Sequence, residues 1–208
     1  RDRSSFADGA FGGGAAFAEV TFEDDTRFTD CSIAGDASFF GVEFEGGPSE
    51  EEDAAFTRAA FGGSVDFRET ECEDLGLAAA TVDGSASFTG SEFGRIEADE
   101  AVFRGPVDLS HTRYTDRSSF VEATFEAEAT LDETRFVSDV SFANADFAAG
   151  ASFRGAEFVG GAHTIDDADF EAARFGDTAD FKLAEFRYAD FSGVEFDGTA
   201  IFVETVFT

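Results

Sequence analysis

The stretch that decides the fold is FANADFAAGASFRGAEF, residues 142–158. Its phenylalanines, Phe142, Phe147, Phe153 and Phe158, follow one another at steps of five, six and five residues, and an alanine stands two positions before each of the last three. The same spacing runs through nearly the whole chain of 208 residues. A fixed short period of this kind is typical of a repeat architecture, so the period is the first guide to the fold.

The large residue of each unit can be called its centre. Centres recur from Phe6 to Phe207, and every phenylalanine except Phe40 is one of them. The residue two before the centre is usually small or β-branched, and the residue between the two is usually polar. Because side chains alternate along an extended strand, this pattern predicts a short strand with two inward residues, followed by a turn that is often rich in glycine.

A helix is excluded because steps of five and six residues scatter the phenylalanines around a helical cylinder. Hairpins are disfavoured because the strands are very short and the turns very frequent. A coil of four units and about 22 residues satisfies the pattern. We expect nine coils, which begin at Phe6, Phe28, Phe56, Leu77, Ala98, Phe120, Phe142, Ile165 and Phe186. The fourth face is then expected to carry Phe22, Phe44, Cys72, Phe93, Tyr114, Phe136, Phe158, Phe181 and Phe202.

The units NADFA (144–148), ASFRG (151–155) and YADFS (188–192) resemble the pentapeptide-repeat family, whose consensus is A(D/N)LXX or A(D/N)FXX. The resemblance covers the whole chain, with phenylalanine at the centre and alternating five- and six-residue units. It implies an all-β fold, a right-handed quadrilateral parallel β-helix of about nine coils with four faces per coil. We expect residues 1–208 to form a single domain of this type.

Three irregularities interrupt the period. Residues 45–55, EGGPSEEEDAA, predict an acidic loop insertion between Phe44 and Phe56. The seven-residue step from Phe158 to Ile165 predicts a bulge, which contains His163. The zone from Leu77 to Phe103 is the least aromatic, with Val82 and Ala98 at centres, and we expect the space left by Ala98 to be filled by Ile96 or Val102.

The charge is strongly negative, with 45 Asp and Glu against 14 Lys and Arg, a formal net charge of −31. Two explanations compete. Adaptation to a salt-rich cytoplasm accounts for the dense carboxylates and for the single lysine, Lys182, whereas mimicry of DNA accounts only for the carboxylates. The composition therefore favours a halophile. Direct binding of nucleic acid is disfavoured because it needs a basic face.

The remaining reactive residues give little sign of chemistry. Cys31 and Cys72 fall at inward positions and are too few for a disulfide framework, which fits buried thiols in a cytoplasmic protein. His111 is expected on a solvated turn, and neither histidine has the spacing of a catalytic or metal site. No apolar run is long enough to span a membrane. We expect no enzyme activity, no metal and no cofactor.

Acidic residues are most frequent at the fourth face of the first coils, where they could form a docking strip. The strip comprises Glu23, Asp24, Glu43, Glu45, Glu50, Glu51, Glu52, Asp53, Glu71, Glu73, Asp74 and Glu92. The structural core is expected to include Phe22, Phe44, Phe93, Phe136, Phe142, Phe147, Phe153, Phe158, Phe181 and Phe202.

These features favour a non-catalytic acidic scaffold that binds a protein partner of unknown identity. Two alternatives remain open: a DNA mimic that inhibits or protects a type II topoisomerase, and a regulatory module of a larger protein. Because the period runs from Phe6 to Phe207 without a cap, unpaired coil ends also predict end-to-end homodimers or flanking domains.

Overall fold

The computed structural model of the chain describes residues 4–47, 52–160 and 167–208. All regular structure in these residues is β-strand, and every strand pair is parallel. Successive strands turn a corner, and each strand pairs with its counterpart one coil later, as Ser4 does with Thr26. The prediction of an all-β parallel solenoid of about nine coils is confirmed.

Four columns of strands form the four faces, and nearly all strands have two residues. The first face contains Ser4–Ser5, Thr26–Arg27, Ala54–Ala55, Ser118–Ser119, Val140–Ser141, Ala168–Asp169 and Ala189–Asp190. The second contains Ala10–Phe11, Ser32–Ile33, Ala60–Phe61, Thr81–Val82, Val102–Phe103, Thr124–Phe125, Asp146–Phe147, Arg174–Phe175 and Glu195–Phe196. The third contains Ala15–Ala16, Ala37–Ser38, Val65–Asp66, Ala86–Ser87, Val107–Asp108, Ala129–Thr130, Ala151–Ser152, Ala179–Asp180 and Ala200–Ile201.

The fourth face contains Thr21–Phe22, Glu43–Phe44, Arg113–Tyr114, Arg135–Phe136, Glu157–Phe158, Glu185–Phe186 and Val206–Phe207. In the third and fourth coils the corner between the fourth and first faces takes only five residues. Single strands there, Glu71–Gly76 and Glu92–Glu97, run through both faces. The first and fourth faces therefore belong to one sheet.

The interior consists of stacked aromatic columns. The ring centroids of Phe125 and Phe147 lie 4.7 Å apart and those of Phe147 and Phe175 4.8 Å, with planes within 3° of parallel. Rings on opposite faces meet edge to face, as Phe142 and Phe153 do at 5.8 Å and 82°. Both geometries are favourable for aromatic pairs. Each fully buried ring contributes about 2 kcal/mol through the apolar area removed from water.

The alternation of five- and six-residue steps reflects two kinds of corner. After the first and third faces, the backbone N–H of the third residue after the centre donates to the carbonyl of the centre, as Cys31 does to Phe28 at 3.0 Å. The residue two after the centre then has a positive φ, 56° at Asp30 and 63° at Gly41. Glycine was expected at such turns, but most of these positions carry other residues. The corner after the second face takes six residues.

The assignment of the last two coils made from the sequence is wrong. Phe158 pairs in register with Phe186, and Phe186 with Phe207, so these residues continue the fourth face. Phe181 stacks on Phe153 at 5.0 Å and lies, with Phe202, on the third face. The eighth and ninth coils therefore begin at Phe170 and Phe191, because the chain takes twelve residues from Phe158 to Phe170. Ile165, the predicted centre, lies outside the described residues, as does His163 of the predicted bulge.

The small centre Ala98 is accommodated by its own strand. Ile96, two residues earlier, is fully buried, and Leu75 takes the equivalent place one coil below. Val102, the other candidate, precedes the inward Phe103 and is half-exposed. Ile96 and Leu75, at positions usually held by alanine, thus fill the space that a phenylalanine in place of Ala98 would occupy.

Most of the expected core residues are buried. Phe22, Phe44, Phe93, Phe136, Phe142, Phe147, Phe153, Phe158 and Phe181 are at most 8% exposed. Phe202 is 40% exposed, which corrects its assignment to the core, because it lies in the last described coil and no further described coil covers it. The large hydrophobic residues exposed in the described chain all lie between Leu183 and Phe207. None of the described residues forms a helix long and apolar enough to cross a membrane.

Candidate functional site

The fourth face carries an outward column of residues with a distinctive charge order. Because each centre points inward, the residue before it points to solvent. Neighbours in this column are in register from coil to coil. The column reads Thr21, Glu43, Glu71, Glu92, Arg113, Arg135, Glu157, Glu185 and Val206. Three acids are thus followed by two arginines and then by two further acids.

A second column on this face is formed by the residue after each centre. Glu23, Glu45 and Glu73 occupy it in the first three coils and are exposed. With Glu43, Glu71 and Glu92, which are also exposed, they place six carboxylates on one surface. Coils rise by about 4.8 Å, so the acids of one column are close enough to repel each other at low salt. We call these six residues the acidic grid.

The other members of the predicted strip lie elsewhere. Asp24, Glu52 and Asp74 are half-buried at the corner that follows the fourth face. Asp53 is only 7% exposed and points inward at this corner, so it does not belong to the exposed surface. Glu50 and Glu51 lie outside the described residues.

Asp53 lies where segment 45–55 returns to the first face, directly before the strand Ala54–Ala55. Its Oδ2 accepts hydrogen bonds from the backbone N–H groups of Glu73 and Asp74 in the next coil, both at 3.1 Å. Desolvation raises the pKa of the Asp53 carboxyl, and the charges of Asp74 and Glu73 act in the same direction. Burial also raises the pKa of Asp74. On the preceding corner, the Asp25 carboxylate accepts the N–H of Gly47 at 2.6 Å.

A second corner repeats this arrangement. Residues 43–56, EFEGGPSEEEDAAF, and residues 157–170, EFVGGAHTIDDADF, share a Glu-Phe-X-Gly-Gly start and an Asp-Ala-X-Phe end. Gly46 and Gly160 both have a positive φ, 67° and 70°. A Cβ on either glycine would overlap the carboxyl group of Asp53 or Asp167. Both segments leave the fourth face and return to the first, five coils apart. The sequence contained this likeness, but the assumed centre at Ile165 concealed it.

The arginines mostly join acids of neighbouring coils. Arg58 pairs with Asp30 at 2.6 Å, and Arg95 pairs with Asp74 at 2.7 Å. Others bridge two acids, as Arg174 does between Asp146 and Asp197. Exposed ion pairs of this kind contribute at most about 1 kcal/mol each. They leave little free basic charge on the described surface.

The cysteines and the described histidine show no reactive arrangement. Cys31 and Cys72 are buried free thiols, and desolvation raises the pKa of both. His111 is exposed on a turn, with Nδ1 3.3 Å from an oxygen of Glu133. No group of three or more His, Cys, Asp or Glu in the described parts of the chain could hold a metal ion.

Phe40, the phenylalanine outside the period, is half-buried beside the third face. The guanidinium of Arg68, one coil later, lies 5.5 Å from the centre of its ring. This distance is within the range of a cation–π contact. Phe40 therefore has a partner within the chain.

Comparisons with known proteins identify repeats and leave the activity open. A family model described as "Pentapeptide repeats (9 copies)" matches residues 67–113, 120–165 and 164–206. No curated protein sequence matches this chain.

Several solved structures are similar over nearly the full length. A trypsin-treated variant of QnrB1, a plasmid-mediated fluoroquinolone resistance protein, is 12% identical, with 96% of this chain and 92% of that chain covered and a TM-score of 0.45. HetL, a pentapeptide repeat protein involved in heterocyst differentiation regulation from the cyanobacterium Nostoc sp. strain PCC 7120, is 15% identical, with 98% and 91% covered and a TM-score of 0.28. Similarity at this level carries no argument about function.

Proposed function

The chain belongs to the pentapeptide-repeat family, and from this premise we propose that it is a non-catalytic acidic scaffold that binds a basic surface of a partner protein. The observation that carries the proposal is the acidic grid. Its six exposed carboxylates stand on a rigid framework of parallel strands, in two columns on the first four coils of one face. Complementary charge of this kind steers association and selects partners more than it adds raw affinity.

Affinity capture tests the docking surface. The variant Glu43→Gln/Glu71→Gln/Glu92→Gln removes one column of the grid, and Glu100→Gln/Glu122→Gln/Glu171→Gln removes the same charge from exposed corners after the first face. We expect at least one protein to be captured by the native chain and by the control variant, and to be lost with the grid variant. Capture of the same proteins by all three chains would contradict the proposal.

We further propose that the protein works in a salt-rich cytoplasm. A net charge of −31 with a single lysine supports this, because roughly molar salt screens charges beyond about 3 Å. Two buried free thiols are consistent with a reducing compartment. The salt dependence of stability tests this part of the proposal.

The alternative function is mimicry of DNA toward a type II topoisomerase. Nine coils at about 4.8 Å give a rod of about 43 Å, so the net charge amounts to about one negative charge per 1.4 Å, against about 1.7 Å for duplex DNA. A gyrase supercoiling assay at graded salt tests it. Inhibition or protection supports the mimic, and no effect at any protein concentration rejects it. On either proposal the chain itself binds no nucleic acid, since its arginines are mostly paired with acids.

The last described coil supports a proposal about assembly. Phe202, Val206 and Phe207 are 40%, 43% and 56% exposed, which leaves an apolar surface at that end. We propose that a second copy, end to end, or a further domain of a larger regulatory protein covers it. Sedimentation of the full natural chain distinguishes the two possibilities. A dimer that dissociates in the variant Phe207→Asp supports the second copy. A monomer in which these residues stay exposed contradicts both the second copy and the further domain.

A further inference from the structure

Two arginines of the fourth face lie side by side. Arg113 and Arg135 are in register on neighbouring parallel strands, and no other described strand pair sets two basic residues opposite each other. Like charges placed directly opposite are unfavourable. The column around them reads Glu92, Arg113, Arg135, Glu157, so each arginine has an acid only on its outer side.

The two arginines are not equally satisfied. Arg135 pairs with Glu157. The Arg113 side chain is 43% exposed and makes no hydrogen bond with the described residues; its nearest acid is Glu92, whose Oε1 lies 3.8 Å from Nη1. Arg104 and Arg174 on the second face differ, because each lies between acids of both neighbouring coils. On the fourth face, the exposed N–H groups of Arg113 therefore have unused capacity for an anion, next to the paired Arg135.

We propose that Arg113 and Arg135 receive two carboxylates of the partner whose basic residues are held by Glu43, Glu71 and Glu92. The inference rests on the proposed function and specifies the chemistry of its partner. The occupant is a segment with three basic residues followed by two acidic ones. Guanidinium groups suit carboxylates because their paired N–H groups match the two oxygens.

The spacing identifies the segment as an α-helix lying along the rod. From Glu43 to Arg135 the outward column crosses four coil steps, about 19 Å. One face of a helix presents residues i, i+4, i+7, i+11 and i+14, which span about 21 Å. An extended strand repeats its side chains every ~6.6 Å and loses register with steps of about 4.8 Å. A nucleic acid would bring phosphates against Glu92 and Glu157 on both sides of the pair.

Synthetic helices of about 18 residues test the order of charges. The patterned peptide has Lys at i, i+4 and i+7 and Glu at i+11 and i+14. A second peptide carries the same five residues in alternating order, and a third carries Lys at all five positions. Binding is measured by fluorescence anisotropy at the lowest salt at which circular dichroism shows the protein folded.

We expect the patterned peptide to bind about fivefold more tightly than the alternating one, which corresponds to about 1 kcal/mol. In Arg113→Gln/Arg135→Gln this preference disappears. The matched control Arg104→Gln/Arg174→Gln removes two arginines from the second face and keeps it. A patterned peptide that binds no better than the alternating peptide, or worse than the all-Lys peptide, overturns the inference.

The two proposals fail in different ways. If the all-Lys peptide binds and loses affinity in Glu43→Gln/Glu71→Gln/Glu92→Gln, the acidic grid is active whatever the outcome for the arginines. If no peptide loses affinity when the three glutamates of the grid are replaced, the proposed function itself is contradicted for helical partners. Tighter binding of the all-Lys peptide to Arg113→Gln/Arg135→Gln would show that the arginines only repel.

Discussion

The hydroxyl of Thr112 donates a hydrogen bond of 2.9 Å to the carbonyl oxygen of Phe88, the centre of the third face one coil earlier. The same bond recurs in neighbouring coils, from Thr70 to Phe39, from Ser91 to Phe67 and from Thr134 to Leu109. These four hydroxyls are buried and tie each coil to the preceding one inside the aromatic core. We call them the hydroxyl ladder.

Thr112→Val keeps the shape of the side chain and removes one step of the ladder. We expect a loss of about 1 kcal/mol in the free energy of unfolding, because the Phe88 carbonyl keeps only its turn hydrogen bond from Ser91. Denaturant unfolding measures it. Thr124→Val, at an outward position of the second face, is the control and should change stability little. Equal effects of both changes would contradict the ladder.

Tyr114→Phe should stabilise the protein. The ring of Tyr114 is fully buried between those of Phe93 and Phe136, and its hydroxyl has no hydrogen-bond partner among the described residues. Removing an unsatisfied buried hydroxyl is worth about 1 kcal/mol. Thermal unfolding of Tyr114→Phe and of the exposed control Tyr188→Phe measures the difference. A destabilised Tyr114→Phe would show that the hydroxyl has a partner, such as an internal water.

Gly46→Ala should destabilise the protein by about 2 kcal/mol or more. The left-handed backbone disfavours a Cβ at this position, and the Asp53 carboxyl occupies the space that a Cβ would need. Gly90→Ala has the same kind of backbone, φ 75°, but open space, so about 1 kcal/mol is expected. Gly12→Ala has neither restriction and should be nearly neutral. Melting temperatures in any other order would argue against the Asp53–Gly46 contact.

Asp53→Asn should change the pH dependence of stability. Since desolvation raises the folded-state pKa of Asp53, ionisation in the folded protein is unfavourable. Stability is gained as pH falls through the raised pKa, and the ionised group destabilises the fold above it. The variant should therefore be more stable than the native protein at pH 7, and the two should converge below about pH 3.9, the unfolded-state value.

Asp66→Asn provides the opposite sign. A hydrogen bond from Arg68 lowers the pKa of Asp66, so its contribution to stability is present above the unfolded-state pKa and is lost as pH falls through the folded value. The variant should be less stable than the native protein at pH 7 and should approach it in acid. Parallel pH profiles for the two variants would contradict the assigned causes.

Glu71→Gln should stabilise the protein at low salt. Glu71 lies in register between Glu43 and Glu92, so its removal relieves two repulsions, worth about 0.5–1 kcal/mol together. At about 1 M salt the gain should vanish, because the Debye length falls to about 3 Å. Glu122→Gln, at an exposed corner, is the control. A native protein equally stable at low and high salt would argue against adaptation to high salt.

The period in the sequence was sufficient to predict the solenoid, and the resemblance of its units to the pentapeptide consensus indicated the family. A phenylalanine such as Phe147 and the small residue two positions before it lie on the same side of a strand. The repeated pattern therefore predicts that both side chains point into one interior. The steps of five and six residues excluded a helix without any reference to tertiary contacts. Within the described chain, the burial of the phenylalanines at centres from Phe22 to Phe186 accords with that reasoning.

Only the tertiary structure decided which residues share a column after each long step. The twelve residues from Phe158 to Phe170 could be counted as one step between faces or as two. The pairing of Phe158 with Phe186 shows that they are one step. The hydroxyl of Thr112 was likewise hidden, because threonine at an inward position looks like any small residue until the carbonyl above or below it is known.

The sequence by itself therefore determined the local unit, since alternation along a strand depends only on neighbouring residues. The tertiary structure decided what depends on the contact between coils, 20 or more residues apart. Asp53 looked like one more surface acid, yet it folds back onto Gly46 and is buried. Arg113 and Arg135 are 22 residues apart in the sequence, and only the register of the strands places them side by side.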